Sequence, residues 1–160
     1  MQQNRKRLTI EQARQKALRY CAYQERCHQE VKNKLYELGL NSSDTDELLG
    51  YLITEGFLNE ERFAKLFAGG KFRIKNWGRI KIIHALESKG LSKKCIQIGL
   101  REIDETDYQQ TLEKLAIEKK MSLSDESDNF ILRNKISHYL ILKGFEPDLV
   151  WGMLKRVLPG

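Results

Sequence analysis

No stretch of this sequence is apolar for long enough to cross a membrane. Runs such as Tyr139-Leu140-Ile141-Leu142 are only a few residues long, against the roughly 20 that a spanning helix needs. The N-terminal MQQNRKRLTI carries basic residues with no apolar segment behind them, so no secretion signal is expected. Cysteine is scarce and odd in number. Cys21, Cys27 and Cys95 suit a cytosolic chain with reduced thiols better than a disulfide framework. No segment of useful length alternates apolar and polar residues with period two, so no strand is predicted.

Catalytic and metal-binding patterns are missing as well. Cys21, Cys27 and His28 match no zinc spacing, and His84 and His138 stand without partners in sequence. Gly69-Gly70-Lys71 lacks the preceding strand, the other glycines and the Ser/Thr of a phosphate loop. There is no nucleophile elbow and no recognisable set of catalytic carboxylates. The expectation is a protein that is not an enzyme, with no catalytic residues, no metal and no cofactor.

What is present is a repeat. The pattern Val31, Leu35, Gly39, Leu40 returns as Ile82, Leu86, Gly90, Leu91 and again as Ile136, Leu140, Gly144, Phe145. Two aliphatic residues one helical turn apart share a face. The glycine then takes the left-handed position past the helix end, and the apolar residue after it packs back on the last turn. Gly56-Phe57 repeats the device after Leu52. A further helix is predicted after each of the three glycines. The first opens with Asp44 and Glu47, the second behind Ser92 as N-cap, and the third on Pro147. Another helix precedes each repeat: one opened by Thr9 and Gln12 as a capping box, one by Asn59, Glu60 and Glu61, and one bearing Leu112, Leu115 and Ala116. MSLSDESDN at 121–129 reads as a loop. With 160 residues, 41% hydrophobic and 31% charged, the chain suits a row of small globular modules. The predicted fold is all-α: three tandem three-helix units, 1–57, 58–103 and 104–160, in an elongated array, curved or straight.

Charge is distributed in blocks. Basic residues, including Arg5, Lys6 and Arg7, dominate up to Leu35, and 36–58 holds acids only. Cations dominate again from Glu60 to Arg101, and acids from Glu102 to Asn129. Such blocks create a directional field that steers association with a polyanion or an acidic protein groove. In the middle block, basic and aromatic residues interleave. There the helical spacing places Phe63, Leu66, Phe67 and Ile74 on the apolar stripe and turns Arg62, Lys65 and Arg73 toward solvent. Phe72 and Trp77 are expected in the core rather than stacked on bases. The candidate face for phosphates or carboxylates of a partner is Arg62, Lys65, Lys71, Arg73, Lys75, Arg79 and Lys81. Phe63, Trp77, Gly78, Leu86 and Gly90 are expected to build the fold.

At this stretch the sequence resembles the bacterial RecX regulatory proteins. The residues that carry the likeness are Leu52, Gly56-Phe57-Leu58-Asn59-Glu60-Glu61-Arg62-Phe63-Ala64, Trp77-Gly78-Arg79-Ile80, and Ala85-Leu86 through Lys89-Gly90-Leu91. Ala17-Leu18-Arg19-Tyr20 and Arg26 through Glu30 to Leu35 fit that family's first unit. Five residues at three places depart from it. Asn59 and Glu60 stand where two aspartates are frequent, and Cys27 replaces a capping serine, which is expected to weaken that cap by about 1 kcal/mol. Gly69-Gly70 interrupts a more polar stretch, at a helix break or a close packing site.

The resemblance implies a cytoplasmic regulator in DNA repair, recombination and the SOS response. It binds the RecA–DNA filament along its groove and restrains filament growth, ATP hydrolysis and strand exchange. Affinity for single- or double-stranded DNA is expected to be electrostatic. A monomer is expected, with no membrane partner. The alternative from the helical units alone is a nucleic-acid-binding protein that acts without recombinase.

Overall fold

A computed structural model describes residues 8–158; Arg5, Lys6 and Arg7 lie outside the described residues. Among those described there is no strand. The elements are α1 (Ile10–Tyr23), α2 (His28–Glu37), α3 (Ser42–Thr54), α4 (Glu60–Lys75), α5 (Arg79–Ser88), α6 (Lys93–Leu100), α7 (Glu105–Ser122), α8 (Asn129–Leu142) and α9 (Pro147–Val157). The extensive helix pairings fall within the triplets α1–α3, α4–α6 and α7–α9, so the fold is a row of three-helix units.

Local chemistry sets the helix boundaries. Thr9 and Gln12 form the reciprocal capping box, at 3.2 and 3.0 Å. Asn41, Asn59, Ser92 and Asp104 each accept a backbone N–H from the first turn of α3, α4, α6 and α7. Gly39, Gly90 and Gly144 have φ of 92°, 81° and 100°. Behind them the N–H groups of Leu40, Leu91 and Phe145 each donate to the carbonyl of Leu35, Leu86 and Leu140, all at 3.2 Å. These are Schellman ends, and the apolar residue after each glycine is buried. At Cys27 a sulfur, a weak acceptor, stands in place of the usual cap oxygen opposite the Glu30 backbone, and the Glu30 side chain accepts the Cys27 backbone N–H at 3.3 Å.

Two cores form. The first packs Ala13, Ala17, Val31, Leu35, Leu48 and Leu52 with Leu58, which follows α3. The second core runs without interruption from Phe63 and Phe72 through Ile82 and Leu86 to Tyr108, Ile136, Phe145 and Leu154, so the second and third units share one interior. Cys27, the N-cap of α2, is fully buried in this second core and is the first unit's apolar foothold there.

The expected apolar stripe of α4 needs correction. Its buried residues are Phe63, Ala64, Ala68, Gly69 and Phe72, whereas Leu66 is 56% and Ile74 78% exposed. The cause is the close crossing of α4 and α6. A Cβ on Gly99 would lie 2.7 Å from the Ala64 carbonyl oxygen, so only small side chains fit the contact. The helix therefore turns its alanines inward and leaves Leu66 and Ile74 facing out. Nor is there a break at Gly69-Gly70. Helix α4 continues to Lys75 and ends on Asn76 in the left-handed region, φ 56°. A Cβ on Gly69 would meet the Arg73 guanidinium, which lies across that position.

Candidate partner interface on the second unit

The seven basic residues of the middle block do not form one uniform face. Lys65, Arg73, Lys75 and Lys81 are exposed, and among the described residues they make no ion pair. Lys71 is half-buried, its Nζ 4.9 Å from the Trp77 ring centroid and 5.4 Å from that of Phe67. The Nζ of Lys81 lies 4.6 Å from Trp77. Trp77 itself packs partly buried against the second core, edge-on to Phe67 at 6.4 Å, and Phe72 is buried. The rim of this cluster is cationic and its centre apolar.

Arg62 and Arg79 have other partners. The Arg62 Nε donates to Glu25 at 2.7 Å, and its guanidinium also donates to the Gly56 carbonyl at 3.1 Å. It ties α4 to the first unit, supported by His28 Nδ1, 3.1 Å from Glu60, and by Glu30, 4.0 Å from Lys89.

Arg79 holds the second unit to the third. Its guanidinium donates to Glu146 at 2.8 Å and to Glu105, and stacks 3.8 Å over the ring of Tyr108. The Tyr108 hydroxyl accepts the Arg79 backbone N–H at 3.0 Å and donates to Glu146. Burial, the largest influence on Arg79, opposes its charge, but the two carboxylates outweigh it and hold the guanidinium above its ordinary value. Burial and the hydrogen bond to Glu146 push the Tyr108 phenol well above the usual tyrosine range. Hydrogen bonding from Gln109, and then Arg79, holds Glu105 below the ordinary carboxylate value.

Sequence reasoning missed Glu25, Glu105, Tyr108 and Glu146, each 26 to 67 residues from its arginine partner. Nothing in local spacing points to such pairs.

Gly78 and Gly90, expected to be structural, stand at two related joints. The Gly78 N–H donates to the Lys143 carbonyl at 2.7 Å, and that of Ile80 to the Gly144 carbonyl at 2.9 Å. The start of α5 is thus clasped to the glycine turn of the third unit. One unit earlier the start of α2 sits over the equivalent turn, with Cys27 Sγ 4.0 Å from the Lys89 carbonyl oxygen. A Cβ on Gly90 would lie 3.5 Å from the Gln29 side chain. Burial pushes the Cys27 thiol up to about 11. Phe63 and Leu86 are buried.

Among the described residues no helix is long and apolar enough to span a membrane, and no three His, Cys, Asp or Glu side chains group as a metal set.

Comparison with known proteins agrees with this architecture. Residues 13–52 match the model of the first three-helix domain of RecX, and 59–100 that of the second. The chain is 32% identical over 143 residues to "Regulatory protein RecX" of Clostridium perfringens strain 13, covering 88% of this chain and 66% of that protein. To the protein of the same name from Finegoldia magna it is 29% identical over 136 residues, covering 83% and 65%. The chain thus spans about two thirds of the length of these curated relatives.

The crystal structure of RecX from Lactobacillus salivarius superposes with a TM-score of 0.84 at 24% identity, over 92% of this chain and 96% of that one. A second crystal structure, of regulatory protein RecX, gives 0.82 at 20% identity, over 92% and 71%. At these identities the two structures establish the fold. With both three-helix domain models matched in order and curated relatives aligned over most of its length, the chain belongs to the RecX family.

Proposed function

We propose that this chain is a non-enzymatic regulator that binds a RecA recombinase–DNA filament and restrains its growth, ATP hydrolysis and strand exchange. Family membership carries the reading. The unpaired cations Lys65, Arg73, Lys75 and Lys81 beside the Lys71–Trp77–Phe67 cluster support it, because a filament of protein and nucleic acid offers both carboxylates and phosphates. The division into units 1–57, 58–103 and 104–160 belongs to the same proposal: the joints at Arg62–Glu25 and Arg79–Glu146 leave a row of modules to lie along a repeating partner. So do a monomeric state, a cytoplasmic location and a role in DNA repair and the SOS response.

The test is a filament assembled on single-stranded DNA, with ATP hydrolysis followed as purified protein is added. A fall in rate at stoichiometric protein is expected; an unchanged rate would sink the reading. Reversing Lys65, Arg73 and Lys75 to Glu is expected to weaken the effect while helicity by circular dichroism stays native. Arg62 makes a poorer variant than these three, because removing it also breaks the Glu25 pair.

Binding to duplex DNA alone separates the alternative of a stand-alone DNA-binding protein. Sequence-specific binding without recombinase that survives moderate salt would favour that alternative.

A further inference from the structure

The outward side of α4 carries an apolar line that the described residues leave largely uncovered. Leu66 and Ile74 are 56% and 78% exposed, and Gly70 lies between them, four residues from each. Successive steps of four keep residues on one helix face, so the line is two aliphatic side chains with a notch in the middle. Phe67 and Lys71 border it and, with Lys75, close a shallow recess.

Gly70 has no packing partner among the described residues, since a Cβ there would meet nothing within 4 Å. A glycine inside a helix is nevertheless less stable than an alanine. Gly50 and Gly152 are equally open, but only Gly70 is flanked at both four-residue steps by exposed aliphatic side chains. Contiguous exposed apolar surface rimmed by polar side chains is characteristic of contact sites.

We propose that this line is a docking site for a protein segment that presents an aliphatic side chain to the notch and carboxylates to its rim. The occupant follows from charge and shape. Lys71 and Lys75 line the recess, and Lys65 is exposed on the same helix. The acids on the neighbouring face are already committed, Glu25 to Arg62 and Glu30 to Lys89. An apolar centre with a cationic rim is the anatomy of a protein contact. Single-stranded nucleic acid would instead call for open aromatic faces, and here the rings of Phe67 and Trp77 are packed against the core and flanked by lysines. The inference rests on the function proposed above in one respect: the segment belongs to the recombinase subunit rather than to the DNA.

The experiment uses the full chain, the double variant Leu66→Ser/Ile74→Ser, Gly70→Leu to fill the notch, and Leu142→Ser as a control, since Leu142 is an exposed leucine on α8. Each is titrated against the recombinase filament on oligo(dT), followed by ATP hydrolysis, and against oligo(dT) alone. The double variant and Gly70→Leu are expected to need at least about tenfold more protein for half-maximal effect, and Leu142→Ser to stay within about twofold. All are expected to bind oligo(dT) as the parent does.

Gly70→Leu should melt no lower than the parent, because leucine is the better helix former. Its loss of effect would then have no structural explanation. Three results would overturn the site: variants that act like the parent, a parallel loss of oligo(dT) binding, or a parent dimer that the double variant dissolves. A parent chain without effect on the filament would instead fail the function proposed above, and this partner with it.

Discussion

Gly78 and Gly144 meet backbone on backbone across the joint between the second and third units. A Cβ on Gly78 would collide with the Gly144 carbonyl and the Phe145 nitrogen, and one on Gly144 with Lys81. Gly144 also has φ 100°, and Gly56 adopts the same kind of turn at φ 80° with nothing within 4 Å of a Cβ. The two glycines therefore separate backbone strain from collision. Gly56→Ala is expected to cost about 1–2 kcal/mol from the left-handed conformation alone. Gly144→Ala should cost about 3 kcal/mol or more, because overpacking adds to that strain. Urea unfolding of the two variants measures the difference; equal losses would mean that the joint accommodates the extra carbon.

Arg79 is 21% and Glu146 30% exposed, so solvent only partly screens their pairing. Arg79→Ala is expected to destabilise the chain by about 2 kcal/mol, since Tyr108 and Glu146 lose a charged partner in a half-buried place. Lys75→Ala should stay within about 0.5 kcal/mol. A double-mutant cycle of Arg79→Ala with Glu146→Gln isolates the pair, and a coupling energy near zero would contradict the joint described above.

The free lysines make an electrostatic prediction. Lys71→Gln and Lys81→Gln keep the stems that border Trp77 and remove the charge. For the chain binding oligo(dT) alone, each is expected to lower the slope of log affinity against log salt by about one if that lysine meets a phosphate. An unchanged slope would remove that lysine from any DNA contact. The same substitution in Arg79, whose charge is already taken by Glu105 and Glu146, should leave the slope as it is.

Tyr108 makes an alkaline prediction. Its folded value lies above the ordinary tyrosine value of about 10, so the fold favours the neutral phenol. The stability this supplies is complete below about pH 10 and is lost as pH rises toward the folded value. The unfolding free energy should therefore fall above about pH 10, and Tyr108→Phe should flatten that fall while lowering stability at neutral pH by about 1–2 kcal/mol. Glu105 has the opposite sign. Its folded value is depressed, so its contribution is present above about pH 4.3 and fades as pH drops below. Ultraviolet titration of the phenols, with and without Tyr108, measures the first effect directly.

Cys27 is fully buried, and burial raises its thiol to about 11. At pH 8 iodoacetamide is expected to modify the partly exposed Cys95 well before Cys27, which should react only on unfolding. Early modification of Cys27 in the native chain would show that the first joint opens readily.

Helix ends were legible in sequence because their determinants are local. A Schellman turn closes within six residues and a capping box within four, so Gly39, Gly90, Gly144, Thr9 and Ser92 announce them without knowledge of the fold. The repeat of three-helix units followed from the same glycine-ended helices, while the family resemblance rested on motifs such as Gly56-Phe57 through Ala64 and Trp77-Gly78-Arg79-Ile80. The face that α4 buries was not legible. Spacing alone made Leu66 and Ile74 as eligible as Ala64 and Ala68, and the close approach of Gly99 on α6 reversed the choice.

The candidate face divided for a similar reason. All seven cations look alike in sequence, but two of them are paired across joints. Arg62 meets Glu25 from 37 residues away, and Arg79 meets Glu146 from 67. By itself, then, the sequence determined an all-helical chain of repeated units with a basic middle, because helix propensity, capping and composition act over a few residues. Only the tertiary structure decided which cations hold the units together, which remain free for a partner, and which aliphatic side chains stay uncovered. Those outcomes depend on how closely two backbones approach and on what stands opposite each side chain across space.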